Sequence, residues 1–228
     1  MDFDIAIFWI IEIGWLTFNV TETVRNMWIV MAVLILFAVI VRIKSRKWDP
    51  LKKPSGLQNF VEILVDAFTN FFKGSSSEKV MYLAPWFFTL FAFLLISNIL
   101  GLTTLRPPTA DWGLTFPLAF TTFLLIQFAG FRYRPKEYMK GFLKPFFLFL
   151  PLNILGELAR PISLSFRLFG NILGGMILLS LLYGIAPVIV RIGIPVPLHL
   201  YFDLAAGALH AFIFTVLSIT FVGLAAEE

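Results

Sequence analysis

Cysteine is absent from all 228 residues, so the chain holds no disulfide, thiol nucleophile or thiolate-bound metal cluster. Histidine is almost absent. His199 and His210 are the only two, too few for a histidine-based metal site. Charge is scarce too, at 14% of residues, where a soluble domain carries about a quarter. No Gly-rich phosphate loop, nucleophile–base pairing or metal motif occurs. No cofactor is therefore expected, and no catalysis by this chain alone.

What the chain has instead is apolar length. Hydrophobic residues make up 59%, with 27 Phe among them, more than one globular core can hide. The apolar segments are continuous and do not alternate at ten-residue length, which argues against a β-barrel. The fold class is an all-α polytopic membrane protein. The formal charge of +4 reflects topology and not nucleic acid, because the basic residues sit at the ends of apolar spans.

Residues 1–20 form an external or interfacial arm. Asp2 and Asp4 stand where a signal peptide would be basic, and Glu12 interrupts its apolar run. Residues 5–18 are expected at headgroup level, with Trp9 and Trp15 as anchors; a loosely ordered arm is the plainer alternative. Thr21 to Thr23 can cap a first span over 24–43. It ends in Arg42, Lys44, Arg46, Lys47, Lys52 and Lys53, which marks a cytoplasmic loop and an external N-terminus. Residues 57–73 read as an amphipathic interfacial helix. Its Glu62 and Asp66 are either paired carboxylates or a solvated, partner-docking face. A second span covers 81–102 with Asn98 near its end, where it lines a water path or makes an interhelical hydrogen bond. The connection holding Arg106 and Asp111 is external. A third span, 114–131, has no charge. Arg132, Arg134, Lys136, Lys140 and Lys144 then form a second cytoplasmic loop.

The stretch 151–184 is apolar yet carries Glu157, Arg160, Arg167 and Asn171. A charge at membrane depth costs roughly 2.5–3.5 kcal/mol on insertion scales, and Arg cannot shed its proton to avoid it. Arg167 must face something polar or anionic. Arg160, Ser163 or Leu164, Arg167, Asn171 and Gly174 recur at helical steps and share one face. So long a helix would reach about 50 Å, whereas the hydrocarbon core is about 30 Å thick. It must tilt strongly, break near Pro161, or lie partly along the membrane. Gly170, Gly174 and Gly175 suggest close helix contact. Pro187, Pro195 and Pro197 mark an external turn before the last span, 198–224, which ends in Glu227 and Glu228. This makes one membrane domain of about five crossings, its C-terminus in the cytoplasm.

In the last span, Asp203, Gly207 and His210 are spaced by four and three residues and share a face. They make either a proton path through water or a structural Asp–His contact.

The string Ser165-Phe166-Arg167-Leu168-Phe169-Gly170-Asn171, followed by Gly174 and Gly175, resembles the signature of subunit a of the F-type ATP synthase. Leu209-His210-Ala211-Phe212-Ile213-Phe214 agrees, and more weakly so does Pro108-Thr109-Ala110-Asp111. The resemblance implies a stator subunit of a bacterial inner-membrane rotor that moves protons or sodium through two offset half-channels. A ring of c subunits would lie against 151–184 and 198–224, which would form a tilted helix pair. The b subunit of the peripheral stalk and the lipid bilayer would be the other partners. It further implies Arg167 as the essential cation and Asn171 as its partner. Asp203, His210, Asn98 and Asp111 would belong to the external half-channel, Glu157 and Ser163 to the cytoplasmic one. A Glu157–Arg160 ion pair is the competing reading there. The chain departs from the family pattern at Met176, where many members have Glu or His. It departs again at His210, where many have Gln, and at Asp203, where others have His or Glu. The alternative is a stand-alone secondary transporter or channel, which would be expected to show inverted repeats or a broken-helix site; neither is visible.

Overall fold

The computed structural model describes residues 7–13, 16–49, 53–103, 105–143, 146–185, 187 and 193–227. Asp2, Asp4, Trp15, Lys52, Lys144 and Glu228, all used in reading the sequence, lie outside the described residues.

The N-terminal arm is a β-hairpin, with β1 (Ile7–Ile13) antiparallel to β2 (Leu16–Thr21). Two short strands expose Trp9 and Ile10, and an isolated hairpin is marginal in water. Here the first helix ties it down, for Arg25 lies 4.2 Å over the Phe8 ring. Thr21 ends β2 and caps that helix, α1 (Glu22–Ser45), accepting from the Val24 backbone N–H. Only the first turns of α1 are buried, at Thr23, Asn26 and Val30. Its remaining length exposes Val33, Ile35, Leu36 and Phe37. A helix apolar on every side suits lipid or a partner, not water.

Helix α2 (Gly56–Ser75) starts at a Ser55 cap and buries only Phe72 fully. A 3-10 turn over Glu78–Leu83 leads into α3 (Ala84–Ile99), and a second, Leu100–Thr103, follows it. The buried turn Pro108–Ala110 precedes α4 (Trp112–Tyr133). The second basic connection contains a short helix not expected from the sequence, α5 (Pro135–Leu143). It folds back on α4, where a Cβ at Gly130 would meet the Tyr138 ring at 2.6 Å.

Helix α6 spans Leu150–Ile185, 36 residues that run without a break through Pro161. At 1.5 Å per residue this is about 54 Å, so tilt or an in-plane portion absorbs the excess over the hydrocarbon core. The break at Pro161 is not adopted. The chain returns through α7 (Pro195–His199), a π-helical segment Leu200–Ala206, and α8 (Gly207–Glu227). Among the described residues, five helical stretches are long and apolar enough to cross a membrane: Glu22–Ser45, Glu78–Thr103, Trp112–Tyr133, Phe147–Ile185 and Pro195–Glu227. The core lies where α3, α4, α6 and α8 meet, around Phe87, Leu94, Ile126, Leu168, Phe214 and Ile219.

Candidate functional site

The site is built from the middle of α6 and the helix that returns beside it. Arg167 sits halfway along α6 with its side chain exposed. Among the described residues no ion pair holds its guanidinium. Ser163, Gly170 and Asn171 are exposed on the same face, and a Cβ at Gly170 or Gly174 would meet nothing within 4 Å. Those two glycines therefore do not serve helix contact among the described residues. Gly175 does, because a Cβ there would meet the Phe202 side chain at 3.2 Å. Behind the open strip, Leu164, Ser165, Leu168 and Ile172 are buried, which fixes the roll of the helix and aims Arg167 outward.

Asn171 donates to the Arg167 carbonyl at 2.7 Å, and its Nδ2 lies 3.1 Å from His210 Nδ1. The imidazole is half-buried, close enough to Arg167 to feel its charge. Arg167, Asn171 and His210 thus form one cluster across α6 and α8.

Asp203 belongs to a different cluster. It is 9% exposed, and its Oδ2 lies 2.6 Å from His199 Nδ1. On the far side of that ring, the Tyr183 hydroxyl is 3.4 Å from Nε2. The Asp203 carboxyl occupies space left by Gly101, where a Cβ would meet its Cγ at 3.0 Å. Among the described residues no hydrogen bond joins Asp203 to His210. Seven residues of regular helix already put about 10 Å between them, and the wider turn of the π segment also moves them off the common stripe expected from regular spacing. Sequence reasoning that weighs His199 only as a metal ligand misses it; its spacing of four from Asp203 is the available signal.

Asn98 is fully buried. Its Nδ2 donates to the Gly207 carbonyl at 2.7 Å, and its Oδ1 accepts from Thr109 Oγ1 at 2.6 Å. These bonds lock α3, the 108–110 turn and the end of the π segment together. Asp111 caps α4, its Oδ1 accepting from the Gly113 N–H at 2.8 Å.

At the other end of the molecule an open cleft of about 810 Å³ is lined by Arg134, Glu137, Tyr138, Asn153, Glu157 and Arg160, among others. Glu157 pairs with Arg160 at 2.8 Å, and Arg160 also lies 5.2 Å over the Phe221 ring. The second Glu157 carboxylate oxygen is buried with no hydrogen-bond partner among the described residues. Ser163 stands on the exposed α6 face between this cleft and Arg167. Burial first, then the charge of Glu157, raises the Tyr138 phenol above its ordinary value of 10.0, against lowering by Arg160 and by a hydrogen bond to Gln127.

Residues 24–223 match the family described as ATP synthase A chain. The chain is 35% identical over 224 residues to "ATP synthase subunit a, sodium ion specific" of Propionigenium modestum, covering 90% of this chain and 74% of that protein. It is 36% identical over 200 residues to the ATP synthase subunit a of Solidesulfovibrio magneticus, covering 86% and 80%. To that of Moorella thermoacetica it is 32% identical over 206 residues, covering 88% of each. With these likenesses and five apolar helices, the chain belongs to the ATP synthase A chain family and is a membrane subunit of an ion-translocating synthase, not a transporter that works alone.

Proposed function

We propose that this chain is the stator surface against which a ring of carboxyl-bearing subunits turns, with two offset half-channels separated by Arg167. The observation that carries this reading is a permanent cation exposed halfway along an apolar helix, unpaired among the described residues and flanked by a strip that lacks side-chain bulk at Gly170 and Gly174. A charge so placed needs an anion from outside the chain. A ring carboxyl passing along the strip would be neutral in lipid and ionised opposite the guanidinium, so it releases its ion there. The same cation blocks ions from crossing directly between the half-channels, so flow and rotation are coupled.

Asn171 and His210 meet the ring carboxyl beside Arg167, and Asp203 leads to them from the external side. Glu157 and Ser163 lead away through the cleft between α5, α6 and α8. A cytoplasmic cleft and an external N-terminus are supported by the basic connections after α1 and α4. Asn98 and Asp111 border the external path as supports, since their polar atoms are engaged. The catalytic work on ATP belongs to other subunits. The exposed flank of α1 faces lipid or the b subunit of the peripheral stalk, and the host membrane is the bacterial inner membrane.

The test is Arg167→Ala in the whole complex. Ring co-purification is expected to persist while ATP-driven ion pumping is lost. Arg167→Lys is expected to fail as well, because an ammonium lacks the planar fork and can lose its proton when desolvated. Coupled pumping by Arg167→Ala would refute the reading.

A further inference from the structure

The cluster formed by Tyr183, His199 and Asp203 has a geometry that the half-channel reading does not itself require. We propose that His199 is the entry residue of the external half-channel, that it hands protons from water to Asp203, and that Tyr183 positions its ring. This rests on the half-channel reading and adds to it a residue and an ion.

Three observations carry it. First, exposure falls along the pair: the His199 side chain is 34% exposed and that of Asp203 is 11% exposed. The imidazole is the more open end of a path that leads inward. Second, Nδ1 and Oδ2 are 2.6 Å apart, within proton-transfer distance without an intervening water. Third, the pair sits in the π segment and the turn before it. Such widened turns are frequent at functional sites, and this one leaves Asp203 buried in the gap above Gly101.

The transfer balances simply. A proton from external water adds to Nε2 of the neutral ring. The ring then gives its Nδ1 proton to Oδ2 of Asp203, which becomes a carboxylic acid. The imidazole is neutral again, now with its hydrogen on Nε2, and returns to the first tautomer by exchange with water. One proton has moved inward, and no electron has moved. A sodium ion cannot follow this route, because an imidazolium N–H conveys no metal cation.

Among the described residues, α6 brings Tyr183 to the pair, its hydroxyl 3.4 Å from the ring. Helix α3 and the 100–103 turn bring no charged side chain. The connection that supplies Pro107 beside Asp203 carries Arg106, whose carbonyl accepts from Asn26 Nδ2 at 2.9 Å. His210, on α8, is engaged by Asn171.

The experiment measures ATP-driven acidification of vesicles carrying the intact complex, from pH 5.5 to 9, for the wild type, His199→Gln and Tyr183→Phe. His199→Gln keeps a polar side chain but cannot be protonated. Its pumping is expected to fall about tenfold, at the low end for a general acid–base group. Its profile should flatten near neutral pH, and added imidazole should restore flux. Tyr183→Phe leaves the relay intact but frees the ring, so a smaller loss with the titration retained but displaced is expected. If His199→Gln does not assemble, Tyr183→Phe with an unmoved profile overturns the proposal on its own. Wild-type flux in His199→Gln overturns it, as does a loss that is insensitive to pH and not rescued by imidazole. Wild-type pumping that depends on sodium and not on protons would also sink it. Arg167→Ala separates the two ideas: if that variant pumps, the half-channel reading falls whatever His199 does.

Discussion

Replacing Asn98 by alanine tests whether its amide braces the fold or lines the ion path. The side chain is fully buried and makes two short bonds, to the Gly207 carbonyl at 2.7 Å and from the Thr109 hydroxyl at 2.6 Å. Asn98→Ala removes both, leaving the buried Thr109 hydroxyl without this acceptor and the Gly207 carbonyl with only its own helical bond. An orphaned group costs about 1–3 kcal/mol in a protein interior. Interhelical bonds in bilayers average nearer 0.6 kcal/mol, roughly, because the unfolded chain finds other partners. The bonds and the vacated volume together give a loss of about 2–4 kcal/mol. For a domain of this size that corresponds to a fall in Tm of about 5–15 °C. Thermal dissociation of the purified complex in detergent measures it. Ion pumping, assayed well below the transition, is expected to stay close to wild type. An unchanged Tm with a large loss of flux would refute the reasoning and place Asn98 in the path itself.

Glu157→Gln should change stability by no more than about 0.5 kcal/mol, since its Arg160 partner is 43% exposed and such pairs contribute little. ATP-driven pumping should fall about tenfold if the unpartnered carboxylate oxygen passes protons to the cleft; undiminished pumping would leave Glu157 as a partner of Arg160 alone. Tyr138→Phe probes pH. The phenol's raised value means that the folded state favours its neutral form. Its contribution is therefore whole below pH 10 and lost as pH rises through the raised value. Melting curves between pH 9 and 12 should show a steeper decline in the wild type than in Tyr138→Phe.

The parts of the fold legible in the sequence are those governed by length and apolarity. The five spans follow from runs of about twenty apolar residues, and the placement of Arg167 beside Asn171 follows from regular helical spacing. The hidden parts depend on departures from regularity. The spacing of Asp203 and His210 presumes an α-helix, but residues 200–206 are π-helical, and no periodicity rule signals that in advance. The paired strands Ile7–Ile13 and Leu16–Thr21 read as an apolar interfacial run, because a short apolar stretch does not distinguish strand from helix. Helix α5 is masked by its own charge, since Arg134, Lys136 and Lys140 mark a connection whether or not it coils. Gly170 and Gly174 look like helix-packing residues in any membrane sequence, and only their surroundings reveal that none of the described residues lies against them.

The widened turn at residues 200–206 also bears on how relatives of this chain can diverge. Removing one residue there would restore an ordinary helix and leave what lies beyond it nearly in phase, because the wider turn takes up one extra residue. His210 would still stand beside Asn171, while Asp203 and the residues before it would be re-aimed against Gly101. A single-codon deletion could thus rewire the Asp203 end of the site and spare the Arg167 end.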